Sequence, residues 1–311
     1  LYCTMIRLIL KGGLGNQMFQ YAAGYSLAKK YNQQLILDTT FLDTNIPLAH
    51  FTKRSFELNL FGVSEPVEQF SHNEFINAYL GYMFRSLKLL ASPNKIIEDN
   101  YLLNLLARLN PSIRGTKDRV LKDFEPSKEI FMEGFFHDIN SFKAYENEIK
   151  TIFNTAKLYD PQYDAIEKDL KTRDSVSINI RRGDYDNKKN RDIYVRLEDS
   201  YYTAAIQRIK ESVVNPHFFI FSYDFPEGLQ QPFGLKESEY TLLGKEYVGQ
   251  HFKTYLRLIT LCKHNILANS SFSFWGGYLN TNINRIVVAP SRWEYAKDRF
   301  NYPDFWHIIN V

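Results

Sequence analysis

Two adjacent arginines are the residues of this chain best suited to bind an anion. Arg181 and Arg182 follow directly after the apolar run Val176–Ile180. The planar guanidinium groups of arginine match pairs of phosphate oxygens, so a diphosphate is a natural ligand for such a pair. For the pair taken alone, a structural ion cluster with Asp184 and Asp186 is an equally good interpretation.

A serine-rich segment further along the chain favours the anion-binding interpretation. Ser270, Ser271 and Ser273 fall where a short helix is predicted to begin. Hydroxyls and backbone N–H groups at a helix start bind anions, whereas simple N-capping explains only one of the three serines. Asn269 also opens a formal glycosylation sequon, which we interpret as an internal loop of the site.

A glycine-rich turn, Gly12-Gly13-Leu14-Gly15-Asn16-Gln17, lies near the amino end of the chain. It is similar to the fingerprint that binds dinucleotides, and Asp38 stands where an acid could bind a ribose. Met18 occupies the place of the third glycine, however, and the Gly-Lys-Ser/Thr ending of a phosphate-binding P-loop is missing. Tight packing of a turn against a helix explains this segment equally well when it is taken alone.

The segment Asp184-Tyr185-Asp186 matches the Asp-x-Asp pattern of metal-dependent sugar transferases. The pattern is weak, because about one such pair is expected by chance in a chain of this length. Arg181 and Arg182 stand directly before it and already supply positive charge. That position argues against a metal ion.

The elements that must position these groups follow from hydrophobic periodicity. In the first part of the chain, Ile6–Leu10 and Leu35–Asp38 predict strands and the segment from Asn16 to Tyr31 predicts a helix, which together form a βαβ unit. Further helices are predicted at Tyr79–Leu90 and Tyr101–Leu109. We also expect a short buried strand at Glu133–His137 and helical segments between about residues 140 and 172.

The later part of the chain alternates between strand-like and helix-like runs. This alternation predicts a parallel α/β sheet. One of the intervening helices carries Tyr202 and Ile206 on a single face, with Asp199 or Ser200 as its N-cap. The strand candidates are Val176–Ile180, Phe218–Phe221, Asn265–Ala268 and Arg285–Ala289.

Polar clusters follow three of these strands, at the point where each strand ends. They are Arg181–Asp184, Ser222–Asp224 and Asn269–Ser273. In open α/β sheets, ligands bind at the carboxyl ends of the strands, so three clusters in register predict one site. The aromatic residues beside the third cluster, Phe272, Phe274, Trp275 and Tyr278, favour helix packing over a platform for a sugar or base.

Composition excludes several classes of protein. Lys and Arg total 38 against 35 Asp and Glu, for a net charge of +3, so no strong field favours nucleic acid or an anionic membrane. No apolar run reaches the roughly 18 residues of a membrane span. The two cysteines, Cys3 and Cys262, cannot form a zinc site or a disulfide framework by themselves, which favours a reducing compartment. The first residues also lack the pattern of a secretory signal.

Taken together, the motifs resemble the bacterial α-1,2-fucosyltransferases of glycosyltransferase family eleven. The family's amino-terminal signature is similar to KGGLGNQMFQYAAGYSLAKK at 11–30, and its His-x-Arg-Arg-x-Asp-Tyr motif to VSINIRRGDY at 176–185. Its Ser-x-Phe-Ser-x-Trp block is similar to CKHNILANSSFSFWGGYLN at 262–280, and FFIFSYD at 218–224 fits the strand between these motifs. The resemblance runs from about residue 6 to 290 and is weakest between 45 and 130.

This resemblance implies an α/β fold of the GT-B type, with two Rossmann-like domains facing a cleft. Residues 1–165 would form the acceptor side, with a helical insertion at about 65–130, and residues 166–311 would bind the GDP-sugar. The implied activity is that of a galactoside 2-alpha-L-fucosyltransferase, which transfers L-fucose from GDP-β-L-fucose to a galactose-terminated glycan with inversion. No metal, other cofactor or nucleic acid is expected. We expect a cytoplasmic location, with peripheral contact to the inner membrane left open.

The resemblance also implies roles for particular residues. Arg181, Asp184 and Asn16 would be catalytic, with Asn16 reaching across the cleft toward the fucose and its leaving oxygen. Asp184 would orient the arginines or handle a proton, and Asp224 would lie near the ribose or guanine. The implied donor-binding residues are Gly13, Gly15, Asn16, Arg181, Arg182, Asp224, Ser270, Ser271 and Ser273.

The sequence departs from the family's pattern at three places. Asn179 stands where histidine is usual, and an amide can only hydrogen-bond. His137 stands where glutamine is frequent, and residues 272–275 read Phe-Ser-Phe-Trp where two consecutive tryptophans are common. Two other classes stay open: a nicotinamide-dependent oxidoreductase that uses the glycine-rich turn and Asp38, and a non-catalytic sugar-nucleotide-binding protein.

Overall fold

The protein forms two compact units, the first unit of residues 1–149 and the second unit of residues 150–311. The sequence placed a domain boundary after residue 165. In the structure the intervening segment packs with the second unit, where the Arg257 guanidinium donates a hydrogen bond to the carbonyl of Thr155 at 2.9 Å. The computed structural model describes residues 5–43, 54–68, 83–84, 87, 95–97, 130–181, 192–222, 232–295 and 300–311.

The first unit is built on a sheet with the strand order β3-β2-β1-β5-β4, in which every neighbouring pair is parallel. Its central strand β1 is apolar apart from Arg7 and almost wholly buried, as expected for a parallel sheet covered on both faces. The strands are β1 (Met5–Ile9), β2 (Gln34–Asp38), β3 (Val67–Glu68), β4 (Lys95–Ile97) and β5 (Ile130–Glu133).

Helix α1 (Leu14–Tyr31) connects β1 to β2 and packs on both strands. It ends at Asn32, which adopts the left-handed conformation (φ 50°) that asparagine tolerates better than most residues. A second helix, α2, covers Thr40–Asp43. Short 3₁₀ turns cover Leu58–Phe61, Ile139–Ser141 and Lys143–Tyr145.

The second unit contains a parallel sheet with the strand order β11-β10-β9-β6-β7-β8. Its strands are β6 (Ser175–Asn179), β7 (His217–Phe221), β8 (Tyr240–Leu243), β9 (His264–Ile266), β10 (Val287–Pro290) and β11 (His307–Ile309). Helix α3 (Glu146–Ile152) begins in the first unit and ends in the second. The α-helices among the described residues of the second unit are α4 (Asp164–Thr172), α5 (Asp199–Lys210), α6 (Lys253–Leu261) and α7 (Ser271–Tyr278).

Strand β7 shows how this sheet is covered on both faces. Phe218 and Ile220 belong to a core with residues of α5, whereas Phe219 and Phe221 belong to a second core with residues of α4 and α6. Because side chains alternate along a strand, this division means helices on opposite faces of one sheet. The predicted α/β fold of the GT-B type, with two Rossmann-like domains, is confirmed.

The strands and helices of the predicted βαβ unit are confirmed within two residues. The strand predicted at Glu133–His137 is wrong, because β5 covers Ile130–Glu133 and the chain then turns at Phe136, whose φ is +52°. The N-cap of α5 is Glu198 rather than Asp199 or Ser200.

The helices predicted at 79–90 and 101–109 lie outside the described residues, apart from 83, 84 and 87, which are helical. The same is true of most of the predicted insertion at 65–130. In the described part of the chain, no helix has the length and apolar character needed to cross a membrane.

Candidate functional site

The glycine-rich turn of the first unit holds Asn16 against its own backbone. Gly12 has a φ of +78°, and a Cβ atom there would lie 2.5 Å from Nδ2 of Asn16. The carbonyl of Gly13 accepts hydrogen bonds from the backbone N–H of Asn16 (2.9 Å) and of Gln17 (3.1 Å). Gly12 is therefore required twice, for its left-handed backbone and for the close approach of the Asn16 amide.

Gln17 ties a distant segment to this turn. Its buried side chain donates from Nε2 to the carbonyls of Gly12 and Ser55, both at 2.8 Å, and its Oε1 accepts the backbone N–H of Glu57 at 2.9 Å. The segment 54–57 is thereby fixed beside the turn. As a result Arg54 covers Gly13, where a Cβ atom would lie 3.5 Å from the guanidinium Nε.

Glu57 places a carboxylate at the start of α1. It is only 4% exposed, and burial raises its pKa to about 7, against the opposing effects of Arg54 and of a hydrogen bond from the backbone N–H of Leu14. In a dinucleotide-binding fold, the first amides of this helix bind phosphate. Here the Leu14 amide is bonded to Glu57 instead, a contact that no sequence motif predicts.

A buried ion pair joins the carboxyl ends of β1 and β5. Lys11 Nζ lies 3.4 Å from Oε1 of Glu133, and the two side chains are 1% and 0% exposed. Gln20 supports the same junction, because its Oε1 accepts the N–H of Lys11 (3.1 Å) and its Nε2 donates to the carbonyl of Gly134 (2.9 Å). The chain that follows β5 is thus brought next to the glycine-rich turn.

His137 lies at the end of that chain segment and contacts Asn16. Its Nε2 is 3.0 Å from Oδ1 of Asn16. The imidazole packs edge-on against Phe19, with ring centroids 5.1 Å apart, and stacks on Phe135 at 5.4 Å. Asn16 and His137 are both residues of interest in the sequence analysis, and the structure brings them together.

Asp38 is engaged inside the first unit. Its side chain is fully buried, and its Oδ1 accepts the backbone N–H of Thr40 at 3.0 Å. Its Oδ2 lies 3.6 Å from the guanidinium of Arg7, which also pairs with Glu68. These contacts give Asp38 a structural role at the end of β2 and weaken its interpretation as a ribose-binding acid.

In the second unit, one hydrogen bond joins the end of β6 to the start of α7. Ser273 Oγ donates to Oδ1 of Asn179 at 2.9 Å and accepts the backbone N–H of Ala268 at 2.9 Å. Ser270 is the N-cap of α7, and its Oγ accepts the N–H of Ser273 at 3.1 Å. Two of the three serines therefore organise the helix start, and Asn179, the departure from the usual histidine, is the residue that holds it.

Arg181 follows Asn179 by two residues and is half-buried. It therefore lies just beyond the carboxyl end of β6, which is the strand tied to the start of α7. Ser271 is buried at that helix start. Arg182, Asp184 and Asp224 lie outside the described residues. Donor binding and catalysis by the predicted site residues stay predictions.

Hydrogen bonds between buried side-chain amides hold β6 and β9 to the neighbouring helices. Asn265 donates from Nδ2 to Ser177 Oγ (2.8 Å) and to the carbonyl of Ile259 (2.9 Å). Its Oδ1 accepts Nδ2 of Asn280 at 2.7 Å, and Asn280 also donates to the carbonyl of Cys262 at 2.8 Å. The network joins β6, β9, the end of α6 and the chain that follows α7, and sequence reasoning missed it.

The aromatic residues of α7 are core residues. Phe274 and Trp275 are fully buried, and Phe274 stacks on Tyr278 with ring centroids 5.2 Å apart. The predicted packing role is confirmed for these three residues. Asn269 is 1% exposed and donates to the carbonyl of Val195 at 2.6 Å, which confirms its position in an internal loop.

Among the described residues, the structure places no three His, Cys, Asp or Glu side chains together where they could hold a metal ion. Asp184 and Asp186 are outside those residues.

Comparison with known proteins decides the family. The sequence model of glycosyl transferase family 11 matches residues 5–309. The chain belongs to glycosyl transferase family 11.

Two relatives in Escherichia coli align with most of this family 11 chain. The O-antigen biosynthesis glycosyltransferase WbnK is 28% identical over 298 residues, which cover 91% of this chain and 93% of the relative. An alpha-1,2-colitosyltransferase is 27% identical over 299 residues, which cover 94% and 93%.

Among solved structures, the fucosyltransferase NodZ from Bradyrhizobium is similar to this family 11 chain with 13% sequence identity and a TM-score of 0.45. The match covers 88% of this chain and 91% of NodZ.

Family membership makes the chain a glycosyltransferase and leaves the nicotinamide-dependent interpretation without support. The glycine-rich turn of the family 11 chain serves to place Asn16, and Asp38 is bonded to Thr40.

Proposed function

We propose that this family 11 glycosyltransferase moves L-fucose from GDP-β-L-fucose to the 2-hydroxyl of a terminal galactose, with inversion to an α-1,2 linkage. The relative named as an alpha-1,2-colitosyltransferase, aligned with 94% of this chain, supports the linkage. The observation that carries the proposal is the Ser273–Asn179 hydrogen bond, which fixes the start of α7 beside the strand end that Arg181 follows.

In this proposal the galactose 2-oxygen attacks C1 of fucose from the face opposite the diphosphate. The C1–O bond to the β-phosphate breaks, and the hydroxyl proton leaves to a base. Positive charge develops on the sugar ring and negative charge on the departing diphosphate, by analogy with glycoside cleavage. Arg181, together with Arg182, stabilises that negative charge more strongly in the transition state than in the ground state.

The start of α7 adds a second source of stabilisation. Backbone N–H groups of its first turn point out of the helix end and favour an anion. Ser270 and Ser273 fix the geometry of that turn through their own hydrogen bonds. Their contribution to donor binding is therefore the position of the helix, with Ser271 beside them.

Asp184 is our first candidate for the base, and a dissociative path that needs little base assistance is the alternative. The pH–rate profile of Asp184→Asn distinguishes the two. Loss of the acidic limb is expected if Asp184 accepts the proton, and an unchanged acidic limb removes it from that role.

We also propose that transfer needs no metal ion, since arginines supply the charge next to the diphosphate. Transfer should continue at an undiminished rate in EDTA. If EDTA abolishes transfer and manganese restores it, Asp184 and Asp186 become metal ligands and the proposal of metal independence is wrong.

A second donor is favoured by the colitosyltransferase relative. Colitose differs from fucose in lacking the 3-hydroxyl. Transfer from either GDP-sugar releases the same leaving group, GDP. The deciding experiment incubates the enzyme with lactose and either GDP-fucose or GDP-colitose, and follows GDP release and the trisaccharide by mass spectrometry. Faster transfer from GDP-fucose supports the proposal, and faster transfer from GDP-colitose replaces the donor. Binding of GDP without transfer from either donor favours a non-catalytic binding protein.

A further inference from the structure

We infer that His137 is a positioning residue for Asn16, whose carboxamide it holds with Oδ1 toward the imidazole and Nδ2 toward Gly12. The inference rests on the proposed function and adds that sugar transfer needs the Asn16 carboxamide in this one orientation. It adds a residue that has no part in the arginine and serine motifs.

The hydrogen bond defines which end of the amide is which. Oδ1 of Asn16 can only accept a hydrogen bond, so Nε2 of His137, 3.0 Å away, carries the proton. On the other side, Nδ2 of Asn16 lies over Gly12, at the point where any Cβ atom would collide with it. A rotation that exchanged the two ends of the amide would place an NH₂ group against the imidazole N–H, so the bond could re-form only if the imidazole also moved its proton to Nδ1.

His137 itself is held firmly enough to act in this way. Its ring lies between Phe19, which meets it at an interplanar angle of 68°, and Phe135, which stacks on it at 14°. The preceding residue, Phe136, has a φ of +52°, a conformation that bulky residues rarely adopt. Asp138 then caps the 3₁₀ turn by accepting the N–H of Asn140 at 2.9 Å. The ring is thus held by one stacked and one edge-on aromatic neighbour and by the chain on both sides.

A purely structural role, in which the imidazole only fills the space between two aromatic rings, makes different predictions. His137→Phe keeps an aromatic ring between Phe19 and Phe135 but removes the donor. His137→Gln removes the ring but keeps an N–H donor. If packing is what matters, His137→Phe is the milder change. If the hydrogen bond to Asn16 is what matters, His137→Gln is the milder change.

A matched control is available in His217, at the amino end of β7. It is half-buried, and its Nε2 is 2.8 Å from the side-chain oxygen of Thr241. It also packs edge-on against an aromatic ring, that of Phe219, at 5.0 Å. His217→Phe therefore removes a similar hydrogen bond at the end of a strand opposite to the one that ligands use.

The experiment measures kcat and KM for transfer from GDP-fucose to lactose, with thermal melting of each variant. We expect His137→Phe to lower kcat about a hundredfold, with little change in melting, because a small misplacement of a positioned group is enough for such a loss. His137→Gln should stay within about threefold of wild type, since it retains the donor. His217→Phe should leave kcat unchanged.

The double variant shows whether His137 acts through Asn16. Asn16→Ala alone should lower kcat by about a hundredfold or more, because it removes the carboxamide that His137 positions. Adding His137→Phe to Asn16→Ala should lower it no further. The inference is overturned if the two losses multiply, if His137→Gln is as damaging as His137→Phe, or if His137→Phe behaves like His217→Phe.

A second measurement keeps the inference separate from the proposed function. ¹⁵N NMR of the labelled imidazoles should show His137 protonated at Nε2, with a resonance that shifts in Asn16→Ala. If wild type transfers no sugar from GDP-fucose, the proposed function fails. The ¹⁵N resonance of His137 still tests the hydrogen bond between His137 and Asn16. An Nε2 atom without a proton, or a resonance indifferent to Asn16→Ala, overturns the inference whatever the activity.

Discussion

Glu57→Gln tests the electrostatics of the glycine-rich turn. Glu57 is buried against the start of α1, and its carboxylate accepts the backbone N–H of Leu14. Glutamine keeps an oxygen that can accept the same hydrogen bond but carries no charge at any pH. The substitution therefore removes the cost of a buried negative charge and leaves the contact in place.

The magnitude follows from the pKa, which burial raises from 4.5 to about 7. A difference of about 2.5 pH units corresponds to about 3 kcal/mol of folding free energy. Below pH 4.5 the carboxyl is protonated in both the folded and the unfolded chain, so it does not lower the free energy of unfolding. As the pH rises, the carboxyl ionises first in the unfolded chain, which lowers the free energy of unfolding until the pH passes 7. The variant should therefore gain about 1 kcal/mol over wild type at pH 5 and about 3 kcal/mol at pH 8.

The assay is urea unfolding followed by far-UV circular dichroism at a series of pH values. All three tryptophans, Trp275, Trp293 and Trp306, lie in the second unit, so tryptophan fluorescence does not report directly on Glu57. A variant that is less stable than wild type at pH 8, or whose stability difference does not change with pH, would refute the assignment of Glu57 as a destabilising buried acid.

Glu148→Gln is the control of opposite sign. Glu148 is exposed in the first unit, and its pKa is lowered by a hydrogen bond from Tyr25 and by Lys29. A carboxylate with a lowered pKa contributes stability above its unfolded pKa, and that stability is lost as the pH falls through its folded pKa. Glu148→Gln should therefore lower the free energy of urea unfolding at pH 8, and the difference from wild type should disappear in acid.

Two further substitutions test the turn and the amide network. Gly12→Ala forces alanine into a backbone with φ +78° and against Nδ2 of Asn16, so urea unfolding should show a loss of about 1–3 kcal/mol, accompanied by reduced transfer. Wild-type stability and turnover in that variant would contradict the close approach. Asn265→Ala leaves Ser177 and Asn280 without their buried partner, and urea unfolding followed by tryptophan fluorescence should show a loss of about 2–4 kcal/mol. A change below about 0.5 kcal/mol would mean that the network carries no stability.

The strands and their order along the chain were predictable because buried parallel strands are short apolar runs that end at glycine or polar residues. The missed strands are the edge strands of both sheets, which are β3 and β4 in the first unit and β8 and β11 in the second. Tyr240–Leu243 is partly exposed and His307–Ile309 is half-buried, so neither has the continuous apolar character of a central strand. The error at Glu133–His137 has a similar origin, since an apolar sequence does not reveal that Phe136 adopts a positive φ.

The site was predictable only where a motif lies within a short segment. Asn16, Arg181 and the serines became candidates in this way, and their roles stay predictions. Their partners come from far along the chain. Gln17 binds the backbone of Glu57 40 positions away, and Ser273 binds Asn179 94 positions away. No local pattern marks such contacts, because they form only when the sheet brings the segments together. Asn179 is the clearest example. In the sequence it is only a departure from the histidine usual in the family, whereas in the structure it accepts a hydrogen bond from Ser273.

The proposed stabilisation of the leaving diphosphate by Arg181 is tested most directly by the kcat of Arg181→Lys with GDP-fucose and lactose. Lysine keeps the positive charge but loses the planar pair of donors. Arg196→Lys, at an exposed arginine paired with Glu198, is the matched control. We predict a fall in kcat of about a hundredfold or more for Arg181→Lys, with unchanged melting and a control at wild-type activity. Near-normal turnover in Arg181→Lys would contradict the proposed mechanism.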